Sequence, residues 1–257
     1  MSKSGEKAGF AAQRDHLATK RFATSASLVS IRGAGRTQPE SQPPLDEYFN
    51  SLFTALGPQH WWPGDTPFEV IVGTILTQNT SWTNVEMALA NLRGESLLTV
   101  EGIERVNQRH LAKLLRSAGY FRLKARKLKG FVKFLRAEYA GSLRRMFKTP
   151  TLQLREKLLG VWGIGPETAD SILLYAGEQP VFVVDAYTKR LFARHGWTGE
   201  KAKYEDIRWM VERQFPGDVQ RFNELHALIV RVGKNFCRPH EPNCGECPLG
   251  RYLEAGR

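Results

Sequence analysis

Asp185 is the residue of this 257-residue chain best placed to do chemistry. It ends the apolar run Val181-Phe182-Val183-Val184, so a lone carboxylate stands on greasy flanks. Upstream, between two apolar-periodic segments, lies Gly163-Ile164-Gly165. Glycine reaches backbone angles that other residues avoid, so this triplet predicts a tight hairpin. The exposed amides of such a turn, at the start of a helix, favour a phosphate. A hairpin that grips phosphate, followed by an isolated acid, points to nucleic acid held and then altered chemically. A lone G-x-G marks an ordinary turn more often than a phosphate site. The plainer reading of Asp185 is a helix N-cap ahead of Ala186-Tyr187-Thr188-Lys189. The two roles are compatible, because a capping acid is fixed in place.

The elements that position these residues read as helices. Thr149-Pro150 suits a helix start, with Thr149 as cap and Pro150 at the first position. Leu152, Leu154, Leu158 and Leu159 then form an apolar stripe. Pro166, Glu167 and Thr168 open the second hairpin helix, with Ala169, Ile172, Leu173 and Ala176 on its buried side. Helical periodicity also covers Leu45 to Leu56, Phe68 to Leu76, Val85 to Leu92, Leu111 to Leu115, Ala125 to Leu135 and Tyr204 to Phe215. Strand-like alternation is scarce, so an all-α fold is expected.

Net charge is +11 and the isoelectric point about 9.7, as expected of a nucleic-acid binder. The charge is concentrated: Lys113 to Lys148 carries twelve Lys or Arg and one acid, Glu138. Leu123, Leu128, Phe131, Phe134 and Leu135 interleave with it, so one side packs and a basic side faces outward. Such a face would neutralise phosphates and make binding depend on salt. No apolar run approaches the length of about eighteen residues that a membrane span needs. Residues 1–44 read as a disordered basic tail, rich in Ser, Gly, Ala, Arg and Lys. Its few acids would also suit a mitochondrial transit peptide, but a flexible bacterial extension is the preferred reading. Three cysteines crowded between Cys237 and Cys247 do not suggest a disulfide framework.

Taken together, Ile75-Leu76-Thr77-Gln78-Asn79-Thr80, Ala118-Gly119-Tyr120, the hairpin, Val184-Asp185-Ala186-Tyr187 and the cysteine cluster resemble the helix-hairpin-helix DNA glycosylases of the endonuclease III superfamily. The resemblance runs from about Leu45 to the C-terminus. It implies two helical lobes with a DNA-binding cleft between them. One is a helical barrel over 67–179, with the hairpin at 159–170. The other joins 45–66 to 180–257 and carries the cysteine loop 237–247. The implied partner is double-stranded DNA containing a damaged base, bound by a monomer without any membrane. The expected location is cytoplasmic, at the nucleoid.

The resemblance also implies the reaction. Base excision breaks an N-glycosidic bond through a positively charged, oxocarbenium-like sugar, which a carboxylate at Asp185 would stabilise while orienting water. Bifunctional members carry a lysine where Glu167 stands; that amine attacks the sugar and leads to strand cleavage. Glutamate cannot form a Schiff base, so a monofunctional enzyme that leaves an abasic site is expected. Lys189, i+4 from Asp185, reads as an ion-pair partner on the helix. Gly163, Ile164, Gly165 and Thr168 would contact the DNA backbone, and Gln78 would fill the gap left by the flipped base. Trp61-Trp62-Pro63 and Trp82 look most like the base pocket of the 3-methyladenine DNA glycosylase III branch; Trp162 is a further aromatic candidate. Stacked indoles attract a cationic methylated purine, worth ~1–2 kcal/mol when desolvated.

Cys237-x6-Cys244-x2-Cys247 reproduces three ligands of the superfamily's iron–sulfur loop. The fourth would fall at Leu253, which cannot ligate. Three readings stay open: a cluster with an incomplete ligand set, completed from outside or by His240; a zinc ion; or a vestigial loop. The first is preferred, in a structural role. Two other functions also stay open. One is a glycosylase for mispaired thymine or uracil, or for an oxidised base. The other is a non-catalytic helix-hairpin-helix DNA-binding module.

Overall fold

The computed structural model describes residues 43–61 and 64–253. The expected tail over 1–44, apart from Pro43 and Pro44, lies outside the described residues, and so do Trp62 and Pro63. The described residues form helices α1 (Leu45–Leu56), α2 (Pro67–Thr77), α3 (Trp82–Gly94), α4 (Val100–Arg105), α5 (Gln108–Leu114), α6 (Phe121–Tyr139), α7 (Leu143–Met146), α8 (Thr151–Leu159), α9 (Pro166–Ser171), α10 (Ala186–Arg194), α11 (Tyr204–Glu212) and α12 (Val219–Asn235). No strand occurs among them, so the fold is all-α, as the periodicity predicts.

Helix α2 is buried on every side: Phe68, Val70, Ile71, Val72, Ile75 and Leu76 are all buried, and so is Glu69, which pairs with Arg93. A helix that is mainly apolar all round must sit inside a core, and α2 packs against α3, α6, α9 and the π turn Ile172–Ala176 that continues α9. Its start is set by Pro67 at the first position and by Thr66, whose side chain accepts from the Glu69 amide. Helix α6 shows the split foreseen for the basic segment. Leu128, Phe131, Val132 and Leu135 are buried, whereas Arg122, Arg126 and Lys133 are exposed. Helices α1 and α10 both pack on α12, which also meets the π turn. Asp185 and the hairpin are thereby brought to the same region.

Two expectations for the hairpin fail in detail. Helix α8 starts at Thr151, and its N-cap is Pro150, which has no side-chain acceptor. The Thr149 hydroxyl donates instead to Tyr139 Oη at 3.2 Å. Leu152 does not belong to the apolar stripe; it is 68% exposed, while Leu154 and Leu158 are fully buried.

The hairpin is held by charge. Arg155 on α8 clasps Asp170 on α9 with both ends of its fork, Nε to Oδ1 at 2.6 Å and Nη2 to Oδ2 at 3.0 Å. Nη2 also reaches Glu205 on α11 at 2.7 Å. Asp170 has no exposed surface, so its carboxylate depends on these donors. Burial raises the Asp170 carboxyl above its ordinary value, and Arg155 offsets only part of that. Removing one partner of such a pair leaves a buried charge stranded, at a cost of about 3–5 kcal/mol. We expect Arg155→Met to lower the unfolding free energy by about that much in urea denaturation; a loss below about 1 kcal/mol would show that the pair is not what fixes the hairpin.

Candidate active site

Asp185 is the N-cap of α10. Its Oδ1 accepts from the Thr188 amide at 2.7 Å and from the Thr188 hydroxyl at 2.9 Å. Its Oδ2 faces His226 Nε2 on α12 at 3.6 Å. The other ring nitrogen, Nδ1, is hydrogen-bonded to the Tyr175 hydroxyl. Burial works to raise the Asp185 carboxyl, but His226 and the two Thr188 donors outweigh it, so the group lies below its ordinary value and is ionised. Capping and chemistry therefore share one side chain: the cap fixes Oδ1 and leaves Oδ2 toward the interior.

Glu167, on the first turn of α9, opens into the same cavity as Asp185. Desolvation by the surrounding walls raises its carboxyl first, and the Asp185 charge raises it further; His226 and Lys189 oppose this. The side chain stays accessible to the solvent of the cavity, which limits the effect. Lys189 forms no ion pair with Asp185; its charge acts on Glu167 instead.

The cavity has a volume of about 770 Å³. Trp61 and Trp82 line it together with Gln78, Thr168, Glu167, Asp185, Tyr187 and His226. Trp162 is elsewhere: it is 48% exposed at the hairpin, with the Arg126 guanidinium 4.0 Å above its ring. A larger hollow of about 960 Å³ shares Trp61 with it but includes neither Asp185 nor Glu167. The smaller cavity is the one that brings Asp185 and Glu167 together.

Gly163 takes φ +86°, where a side chain would be strained and would also strike Lys127. Gly165 differs from the expectation: its φ is −96°, open to any residue, and a Cβ there would meet nothing within 4 Å. Its glycine is not required by the turn, and it leaves that backbone open to a close ligand. Ile164 is buried between the two glycines and anchors the turn. Gln78, the C-cap residue of α2, ties itself to the hairpin, with Nε2 donating to Gly163 O at 3.2 Å and to Thr168 Oγ1 at 2.8 Å. Lys127 donates to Gln78 Oε1.

The basic residues of α6 divide into two sets. Lys124 is buried, donates to Ala118 O at 2.6 Å, and burial pushes its amine down to about 8. Lys129 donates to Glu104 O at 2.8 Å, and Arg136 pairs with Glu101 and Glu104. Those three serve the fold. Arg126 and Lys127 lie beside the hairpin instead.

The three cysteine thiols are free; Cys237 is buried and its Sγ accepts from Arg194 Nη1 at 3.0 Å. Cys237, Cys244 and Cys247 line one small hollow with Leu253, Arg194 and His195. His240 is exposed and not part of it. Among the described residues, no three His, Cys, Asp or Glu side chains converge as a metal-ion site. The donor set offers three thiolates and an apolar Leu253, so it does not fit a four-thiolate cluster.

Sequence reasoning missed His226 and Tyr175. Both were hidden in apolar helical stretches, and only the packing of α12 on the π turn unites them with Asp185.

An all-α fold that lays a glycine hairpin beside a buried, capped aspartate is the arrangement of helix-hairpin-helix DNA repair enzymes. The sequence profile of the HhH-GPD superfamily base excision DNA repair proteins matches residues 72–216, and the chain belongs to that superfamily. Over 206 residues, 79% of this chain and 93% of the relative, it is 48% identical to a Methanocaldococcus jannaschii protein named as a DNA repair glycosylase. The structure of a non-covalent endonuclease III–DNA complex superposes with a TM-score of 0.71 at 20% identity, covering 85% of this chain and 96% of that one, which shows a shared fold. The H. pylori 3-methyladenine DNA glycosylase, solved with 1,N6-ethenoadenine, superposes with a TM-score of 0.64 at 27% identity, over 73% of this chain and 96% of that one. The protein is thus a base-excision-repair DNA glycosylase of the endonuclease III-like family.

Two outcomes follow from the geometry. Because the Glu167 carboxyl is raised in the fold, its ionised form is disfavoured above that value and the penalty disappears as it protonates. We expect Glu167→Gln to melt at a higher temperature than the wild type at neutral pH, with the gap closing as pH falls below the ordinary glutamate value of about 4.3. Equal melting temperatures at pH 7 would mean that neither burial nor the Asp185 charge disfavours the ionised Glu167. For DNA binding, Arg126→Ala and Lys127→Ala should each reduce the slope of log affinity against log salt by about one, whereas Lys129→Ala should not. Salt titrations by fluorescence anisotropy measure this, and an unchanged slope in both α6 variants would remove that face from the DNA contact.

Proposed function

We propose that this glycosylase is monofunctional: it hydrolyses the N-glycosidic bond of a flipped, alkylated purine such as 3-methyladenine and leaves an abasic site. The observation that carries this reading is Glu167 beside Asp185, in one cavity with Trp61 and Trp82. The position that would hold an amine nucleophile holds a carboxylate, and a carboxylate cannot form the Schiff base that strand cleavage requires.

The steps follow from the residues. The hairpin amides and the Arg126–Lys127 face grip the backbone of double-stranded DNA, across a cleft that we place between the hairpin side of the molecule and the α10–α12 side. The target nucleotide turns out of the stack, and Gln78, at the hairpin edge of the cavity, takes up part of the gap. The base enters between indoles and attracts them more strongly if it is cationic. As the bond to the base breaks, its electrons leave with the base and positive charge builds on the sugar. The ionised Asp185 stabilises that charge and accepts a proton from the attacking water. A methylated purine is already a good leaving group, so this modest apparatus suffices. The cysteine loop takes no step.

DNA treated with a methylating agent provides the test. Wild type should release 3-methyladenine, detected by chromatography, and produce strand breaks only after hot alkali. Asp185→Asn should slow release at least about 100-fold, the scale of losing a charged transition-state stabiliser. Glu167→Lys should gain a borohydride-trappable covalent complex with DNA that the wild type lacks. Breaks without alkali in the wild type would refute the monofunctional reading, and no released base would refute the alkylpurine one.

A further inference from the structure

His226 is 5% exposed, and its Nε2 has no partner within hydrogen-bonding range. A buried imidazole nitrogen without a partner is costly unless it meets one in the working state. Its neighbour is the Asp185 Oδ2 at 3.6 Å, inside the cavity that holds Glu167. We propose that His226 is a positioning residue for Asp185: its Nε2–H turns Oδ2 toward the cavity and holds the carboxylate ionised, while Tyr175 selects the tautomer that makes this possible. This inference rests on the assignment of Asp185 as the catalytic carboxylate.

The tautomer follows from charge. With Asp185 ionised, a lone pair on Nε2 would repel Oδ2, so Nε2 carries the proton. Nδ1 then accepts from the Tyr175 hydroxyl. Tyr175 can fill that role throughout, because burial and the Asp185 charge raise its phenol well above the ordinary value and keep it a donor. The ring is wedged as well. Phe182 meets it edge-on, with centroids 6.2 Å apart at 84°, and Tyr175 packs at 5.9 Å and 44°. An imidazole so confined cannot swing away from Oδ2. Catalytic hydrogen bonds in free enzymes are often long and shorten when substrate binds, and a small movement of α12 toward α10 closes this one. Oδ1 is already committed to Thr188, so Oδ2 is the oxygen left to meet water.

Other charges face the pair. The Glu167 and Asp185 charges oppose one another, Lys189 on α10 acts on Glu167, and Arg190 on α10, Lys234 on α12 and Arg238 beyond it line the same cavity. Tyr187 lines the same cavity. His226 differs from all of these in reaching Oδ2 from a buried position.

The test reads Asp185 directly and needs no substrate. In the full-length protein labelled with 13C-aspartate, the Asp185 carboxyl is assigned from its loss in Asp185→Asn and titrated by NMR. Wild type should titrate below the ordinary aspartate range. His226→Ala should move the titration up by about one pH unit or more, a tenfold change in proton affinity. His226→Gln, which places an amide N–H near the former Nε2, should restore most of it. Tyr175→Phe, which removes only a hydroxyl, should shift it upward by less. The acid limb of base release from methylated DNA should move with the titration. A purely structural histidine would lower the rate at every pH without moving that limb. Titrations unchanged in both His226→Ala and Tyr175→Phe, with native amide spectra, overturn the proposal. If the wild type releases no base from methylated DNA, the alkylpurine reading fails, while the titration still decides the role of His226.

Discussion

A carboxylate taken out of water must be supplied with donors, and how Asp185 obtains them dictates the geometry around it. One oxygen is satisfied by the first turn of the helix it caps, through Thr188. The other can be satisfied only from across the cavity, by α12. This requires α10 and α12 to pack closely, which Gly233 permits: a Cβ there would collide with Tyr187. It also requires the π turn after α9 to deliver Tyr175 to the far side of His226. The same turn belongs to the helix that begins at the hairpin and carries Glu167. Acid, hairpin and aromatic wall are therefore set by one packing arrangement, and a shift in any helix disturbs all of them.

The hairpin itself is stiffened from three sides. Arg155 and Asp170 clamp its two helices from within. Gln78 bonds it to the end of α2, and the Lys127 stem lies against Gly163 from α6. Rigidity matters here because backbone amides bind phosphate well only when they point the right way before the ligand arrives. These ties spend polar groups that a plain helix-turn-helix would leave to solvent. The free edge that remains is the one containing Gly165, where no side chain stands in the way.

Much of this was legible in the sequence, because it rests on local rules. Helical periodicity placed α1, α2, α3, α6 and α11, and the isolated Asp185 after four apolar residues marked the cap of α10. Glycine in the triplet marked the turn, although only Gly163 needs an unusual angle. What could not be read depends on contacts between distant residues. His226 lies in an apolar stretch and looked like core, and nothing local ties Tyr175 to it across 51 positions. The basic segment showed its charge but not its division. Lys124 is consumed by the Ala118 carbonyl just before the helix, and Lys129 and Arg136 by Glu104 and Glu101 farther along the chain, so the face left for DNA is smaller than the count of lysines suggests. The hairpin start slipped by one residue because Thr149 found a partner in Tyr139 and left the capping position to Pro150.

The pairing of Glu167 with Asp185 also bears on which bases such a cavity favours. Burial raises the Glu167 carboxyl first, and repulsion from the Asp185 charge in the same cavity raises it further. Lys189, exposed to solvent, offsets little of that. A ligand that carries positive charge relieves the repulsion when it enters, and indoles at Trp61 and Trp82 add the attraction of their ring faces. A neutral base would gain the stacking without the electrostatic relief. The same field acts again as the glycosidic bond breaks, when the charge passes from the base to the sugar beside Asp185. Under the proposed function, an unmodified purine is rejected twice: it brings no charge into the cavity, and it leaves as a poorer anion. Selectivity for damage then requires no hydrogen-bond reading of the base edge, since the charge that identifies the lesion is also what weakens its bond.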